Sequence, residues 1–301
     1  MDKLSFRLPG GYVDEGGTVH RQGEIAPLSG REEELLAGND RRESASLVTT
    51  VLRCCLRRLG DISPISEEVV RNLLIADRQY LLLKLREVTF GDQVQATISC
   101  PWPDCSKRVD IDFLTEDIPI KESKEKGPTY EMELSPEAAF IDCNNKAYRK
   151  IIFRLPNGAD QEALSPLLSE NEARALTRLL ARCVQSIGPL KNPGNTHTCR
   201  LSPLARKEIE SRMAEAAPHV ELNLRANCPE CGRAFVIPFD LHRYFFGEMR
   251  TSINLLYREV HYLAYHYHWS EQEIMEMPRG KRRKYIEVLA DETERLNNAI
   301  R

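Results

Sequence analysis

No run of this chain approaches the roughly 18–20 uninterrupted apolar residues that a membrane-spanning helix needs. The first residues, MDKLSFRLPGGYVDEGG, contain no apolar segment of signal-peptide type. The sequence therefore predicts neither membrane insertion nor export. An excess of positive charge is also missing. Lys and Arg number 42 against 45 Asp and Glu, a formal charge of −3, which argues against a protein that coats nucleic acid. Three catalytic signatures are absent as well: a glycine-rich phosphate loop ending in Lys-Ser/Thr, an H-E-x-x-H helix and a G-x-S-x-G elbow. No catalytic residue and no small-molecule substrate are expected.

What is present reads as a globular protein. With 301 residues, 42% hydrophobic and 29% charged, the chain is long enough for two compact domains or for one with a large insertion. Its nine cysteines, without an export signal, are expected to be reduced thiols or metal ligands. Cys54, Cys55 and Cys183 fall in apolar helical patterns, where a thiol acts as a small hydrophobe. Cys143 and Cys199 are isolated, and His197 beside Cys199 has no further ligand to pair with. His261, His266 and His268 follow one another at spacings of five and two, which do not build a one-faced helical metal site.

Residues 1–28 lack a sustained period and predict an extended docking arm, so that deletion of 2–27 is expected to leave the fold intact. From 29 to 90 the pattern is helical. Ser29 and Glu32 form a capping box, and Leu47 to Leu59 recur as one apolar face of a helix beginning at Ser44 and closed by Gly60. Val94, Ala96 and Ile98 then alternate into Cys100, and Val109, Ile111 and Phe113 alternate after Cys105, as strands do. A mixed α/β insertion is expected over 114–219. Strand alternation returns at 220–239 around Cys228 and Cys231. A C-terminal helical region, 240–301, includes the basic run Lys281, Arg282, Arg283 and Lys284, which predicts a solvated helix start or a contact with an acidic neighbour.

The two cysteine regions echo each other across more than one hundred residues. Cys100-Pro101 matches Cys228-Pro229, Ser106 matches Gly232, and Lys107 matches Arg233. Val109, Ile111 and Phe113 match Phe235, Ile237 and Phe239. Two strand-turn-strand knuckles, each offering two thiolates, are what a structural Zn²⁺ requires: four tetrahedral sulfurs at about 2.3 Å with no position left open for catalysis. The sequence therefore predicts one structural zinc per chain on Cys100, Cys105, Cys228 and Cys231. The expected fold class is α+β, mainly helical, with a small antiparallel zinc-ribbon sheet formed by the knuckles at 91–113 and 220–239. A thioredoxin-like redox pair lacks its βαβ context here.

Several segments carry a family resemblance. LPGGYVDEGGTVHR, PLSGREEELLA, IADRQYLLLKLREVTFGD, FRLPNGADQEAL, CPECGRAFVIPFD and LLYREVHYLAYHYHWSEQEIMEMPRGKRRKYIEVL occur in this order. In that order they resemble the T4-like phage baseplate proteins, or baseplate hub assembly chaperones, of contractile tails and phage-derived injection systems. Two C-x2-C pairs are usual in metal knuckles; the first pair here is widened to C-x4-C. The resemblance implies a structural or assembly role with other baseplate or tail hub proteins as partners. It also implies a cytoplasmic location during assembly and a place in the finished particle. The competing function is a zinc-ribbon nucleic-acid binder, supported by the basic run and by Lys107 and Arg233 beside the knuckles.

Overall fold

The computed structural model describes residues 3–37, 45–125, 127–168 and 170–299. Strand β1 (Leu4–Val13) pairs antiparallel with β2 (Val19–Ile25), and the register slips between Arg7 and Tyr12. The slip lies where Pro-Gly-Gly interrupts the alternation. Gly11 is left-handed (φ +96°), and a Cβ on Gly10 would strike Leu74 and Asp77. Both glycine N–H groups donate instead to the Asp77 carboxylate, at 2.7 and 2.9 Å. Burial pushes this carboxyl up to about 6, against the opposing pull of the two N–H donors.

Phe6, Leu8 and Ile25 enter the main core. The expectation of an extended docking arm at 1–28 is thereby corrected: its described residues supply two strands and core side chains. Removing 2–27 is now expected to abolish folding. Each large apolar side chain lost costs roughly 1.5–3 kcal/mol, and three of them approach the roughly 5–15 kcal/mol that holds a whole domain. A truncated chain that melts cooperatively at the wild-type temperature would contradict this.

Helix α1 (Gly30–Ala37) starts with one half of the expected capping box: Ser29 N–H donates to Glu32 at 2.8 Å, while the Ser29 hydroxyl oxygen accepts from Arg31 N–H at 3.3 Å. The next helix, α2, covers only Ala45–Cys55, and Leu56–Leu59 forms strand β3 on the free edge of β2. The single helix expected to run on to Leu59 therefore stops short (Ser44, its expected start, lies outside the described residues). Leu56 and Leu59 both stay buried because a register shift between Glu24 and Ile25 turns both ends of β3 inward. Ser66 caps α3 (Glu67–Asn72), and α4 (Ile75–Phe90) runs through the main core.

The chain then rises into a hairpin, β4 (Gln93–Ser99) with β5 (Arg108–Leu114). It leaves through a neck where Ile120–Lys121 pairs antiparallel with His219–Val220. Beyond the neck, strands Tyr130–Glu133, Lys150–Phe153, Val184–Ile187 and Leu190–Lys191 form an antiparallel sheet. Helices α5 (Gly158–Leu168), α6 (Glu172–Cys183), α7 (Gly194–Thr198) and α8 (Pro203–Ala216) accompany it. Their shared core includes Phe153, Leu180, Ile187 and Ile209. Returning through the neck, the chain makes a second hairpin, Asn223–Asn227 with Ala234–Pro238. It ends in α9 (Leu241–Tyr267), α10 (Glu271–Met275) and α11 (Arg279–Ala299).

The expected fold class is corrected. The molecule is a mixed α/β structure, 48% helix and 25% strand, and the knuckles do not share one ribbon sheet. Each cysteine hairpin is a separate two-stranded sheet. Backbone hydrogen bonds close each hairpin on itself, and the two meet through side chains rather than strand edges.

The basic run at 281–284 also resolves differently along its length. Arg282 is fully buried and donates to Glu33 (2.6 Å), Glu259 (3.1 Å) and the Met277 carbonyl (2.7 Å). Arg279 donates to the same Glu33 at 3.2 Å. These pairs clamp α11 to α1 and α9.

Candidate metal centre

The neck explains how cysteines so distant in sequence meet. By pairing 120–121 with 219–220, it closes the long excursion and sets the second hairpin beside the first. Both hairpins are rooted in the main core. Val94 and Phe239 are buried there, Phe113 meets Phe239 edge-on at 5.5 Å, and Tyr244 donates its hydroxyl to the Gln95 carbonyl at 2.8 Å. The tips are left to carry the sulfurs.

Each tip folds the same way. Cys100 N–H donates to Lys107 O at 2.8 Å, and Cys228 N–H donates to Arg233 O at 3.0 Å. Just after the second cysteine each turn needs a left-handed residue: Ser106 (φ 46°) in one, Gly232 (φ 71°) in the other. Glycine adopts this conformation without strain and serine does so at some cost. The widened C-x4-C turn is closed by Cys105 N–H and Ser106 N–H, both donating to Trp102 O at 2.9 and 3.0 Å.

The four predicted ligands come together. Cys100 Sγ lies 3.9 Å from Cys231 Sγ, Cys105 Sγ lies 3.8 Å from Cys228 Sγ, and all four sulfurs fall within 4.8 Å of one another. A tetrahedral ion bonded to thiolates at about 2.3 Å requires sulfur–sulfur edges of about 3.8 Å, so the set fits such an ion. Among the described residues it is the one cluster of this kind. Val109 and Phe235 pack against it. Burial pushes the Cys100 thiol up to about 12, whereas the Arg233 backbone N–H holds Cys231 down at about 7. Cys105 receives the Lys107 backbone N–H in the equivalent position, but burial and the neighbouring thiols of Cys228 and Cys231 leave it raised. These donors spread the charge of bound thiolates.

The other candidates stay apart. Cys55 and Cys183 are buried as core thiols, while Cys143 and Cys199 are exposed. His197 hydrogen-bonds to Pro193 O at 2.9 Å and Cys199 Sγ to Thr196 O at 3.3 Å, without converging on a common point. His261 and His266 contact tyrosine rings. The sequence reading missed a clasp between the tips. Arg233 pairs with Asp104 of the other knuckle and stacks over Trp102, 4.9 Å from its ring centre. An acid in one knuckle opposite a base in the other was the available signal.

Comparison with known proteins gives two matches to family models. Residues 20–246, which include both cysteine pairs, match the family described as T4 bacteriophage base plate protein. Residues 251–301 match a family of unknown function, DUF6760. The boundary between them falls inside the unbroken helix α9. No curated protein and no solved structure matches the chain.

Proposed function

The chain belongs to the T4 bacteriophage base plate protein family, and we propose that it is a structural or assembly component of a contractile-tail or injection-system baseplate, stapled by one zinc ion. Cys100, Cys105, Cys228 and Cys231 hold the ion, and other baseplate or tail hub proteins are its partners. The observation that carries the metal part is the spacing of the four sulfurs, 3.8 and 3.9 Å across the two hairpins. Zinc supplies two things there: a fixed tetrahedral junction, and charge to keep four thiols ionised. With all four positions taken by sulfur, the ion staples and does not react.

The baseplate role is read from the family. No helix of the described residues is long and apolar enough to cross a membrane. The chain works in the cytoplasm during assembly and enters the particle. The nucleic-acid reading loses part of its support, because Arg282 is buried in ion pairs and Arg233 is engaged by Asp104 and Trp102.

Deleting the gene from a producing strain tests the role. Electron microscopy is expected to show tails or sheaths without completed baseplates, restored by the gene on a plasmid. Complete particles that contract normally without the protein would remove the assignment. Mass spectrometry of purified particles separates a permanent component from one that acts only in assembly.

A further inference from the structure

Among the described residues, two surfaces of the C-terminal helices meet no counterpart within one chain. Helix α11 starts beside the middle of α9, where Arg282 meets Glu259, and by Tyr285 it has reached Tyr267 and Trp269 at the end of α9. The residues beyond run past the body. From 287 to 298 all are exposed except the partly exposed Leu289, and Val288 and Leu296 are each 53% exposed. Twelve residues make roughly 18 Å of helix, and a helical segment this short holds poorly in water without something packed on it. Val288, Leu289 and Leu296 lie along one stripe around Glu292. The segment carries Glu287, Asp291, Glu292 and Glu294 against Arg295 alone.

The second surface is the side of α9 turned from its core. Leu256, Val260 and Leu263 face inward. On the opposite side lie Leu255, Arg258, Tyr262, Tyr265 and His266, with Leu255 43% and Tyr265 69% exposed. The His266 ring sits edge-on to both Tyr262 and Tyr265, at 4.7 and 5.0 Å. The one carboxylate on the stripe of Leu255, Tyr262 and His266 is Glu259, and it is taken up by Arg282 and Arg283 of the same chain. Its guanidinium, imidazole and phenol groups offer hydrogen-bond donors on an apolar ground, over the same length of roughly 18 Å.

We infer that the α11 tail of one chain docks on the outer face of α9 of a second copy, in a two-fold dimer that makes the contact twice. The tail is rich in carboxylate acceptors and the face in donors, each bears apolar side chains, and their lengths agree. Within one chain they do not meet, because α11 packs on the inner side of α9 and its tail continues past the end. A two-fold pair satisfies both surfaces of both copies and leaves no open end for further growth. Both surfaces lie in the segment 251–301, which carries its own family match.

Sedimentation equilibrium of the full chain is expected to show a dimer. Val288→Asp/Leu296→Asp spoils the tail and Tyr262→Asp/Tyr265→Asp spoils the face. Each double variant is expected to raise the dimer dissociation constant at least about thirtyfold, as loss of a central anchor does. Each variant is expected to keep the cooperative unfolding of the body, with helical circular dichroism lower only by the freed α11 tail, since none of the four side chains is buried. Mixing the two variants is expected to restore a mixed dimer, because each unlike pair keeps one intact tail-on-face contact. A monomeric wild type overturns the inference, including one whose tail binds another baseplate protein instead. So does a dimer indifferent to both variants, or a mixture that stays monomeric.

Discussion

Cys228→Ser/Cys231→Ser is expected to purify without zinc, where the wild type carries about one ion per chain, and to melt roughly 10–20 °C lower. The size follows from what else holds the knuckles together. Two-stranded hairpins are marginal by themselves, and the tips bury only a small cluster around Val109 and Phe235. The Asp104–Arg233 pair is exposed on both sides and adds little. Zinc bound by four thiolates contributes about 10–16 kcal/mol in small zinc peptides. If only about 5 kcal/mol of this is felt by the whole fold, at roughly 2–4 °C per kcal/mol, the shift lies in the stated range. Elemental mass spectrometry and calorimetry on the same samples read both quantities. A zinc-free wild type that is stably folded would show the cysteine echo to be paired hairpins only, leaving the family match to carry the function.

The second large effect is expected at Arg282, far from any cysteine. Arg282→Ala removes three hydrogen bonds and takes the nearest cation from the carboxylates of Glu33 and Glu259, side chains only 1% and 13% exposed, leaving them to Arg279 at 3.2 Å and Arg283 at 3.9 Å. Breaking a buried pair from one side costs about 3–5 kcal/mol, because the partner charge stays in a poor solvent. The effect is expected as a lower urea midpoint with an early loss of the α9–α11 packing around Leu256, Leu263 and Ile274. Arg283→Ala, whose side chain is 53% exposed at 3.9 Å from Glu259, is expected to change stability by less than about 1 kcal/mol. Similar effects from both substitutions would mean that position in the basic run, not burial, sets the cost. Glu33→Gln combined with Arg282→Ala should cost less than the two single changes added together, since the double variant leaves no uncompensated charge at that pair.

The contrast within one basic run shows where reading residues in order succeeds and where it stops. Lys281, Arg282, Arg283 and Lys284 are alike as text. Which of them is buried depends on Glu33, about 250 positions away, and on the pitch of a helix against two others. The cysteine repeat was legible because its chemistry is local. Strand alternation, a turn with a left-handed residue at Ser106 or Gly232, and two thiols per turn are all written within about twenty residues. The hairpin at 4–25 was not legible, since Pro-Gly-Gly at its centre breaks the alternation and the donors of Gly10 and Gly11 are satisfied by Asp77, on a helix more than sixty residues on. Leu56 and Leu59 fit a helical stripe and a bulged strand equally well. The open edge of β2 chose the strand.

By itself, then, the sequence determined which four cysteines come together, the start of α1, the alternation of the four knuckle strands and the membership of a baseplate family. Each of these rests on residues that are near neighbours in the chain or on a pattern shared with relatives. Only the tertiary structure decided that the knuckles are two separate hairpins, that a neck at 120–121 and 219–220 brings their sulfurs to 3.8 and 3.9 Å, and that Arg282 is interior. The physical reason is the same in each case. Backbone edges and buried charges take whichever partner the packing of distant segments presents, and that choice has no local signature.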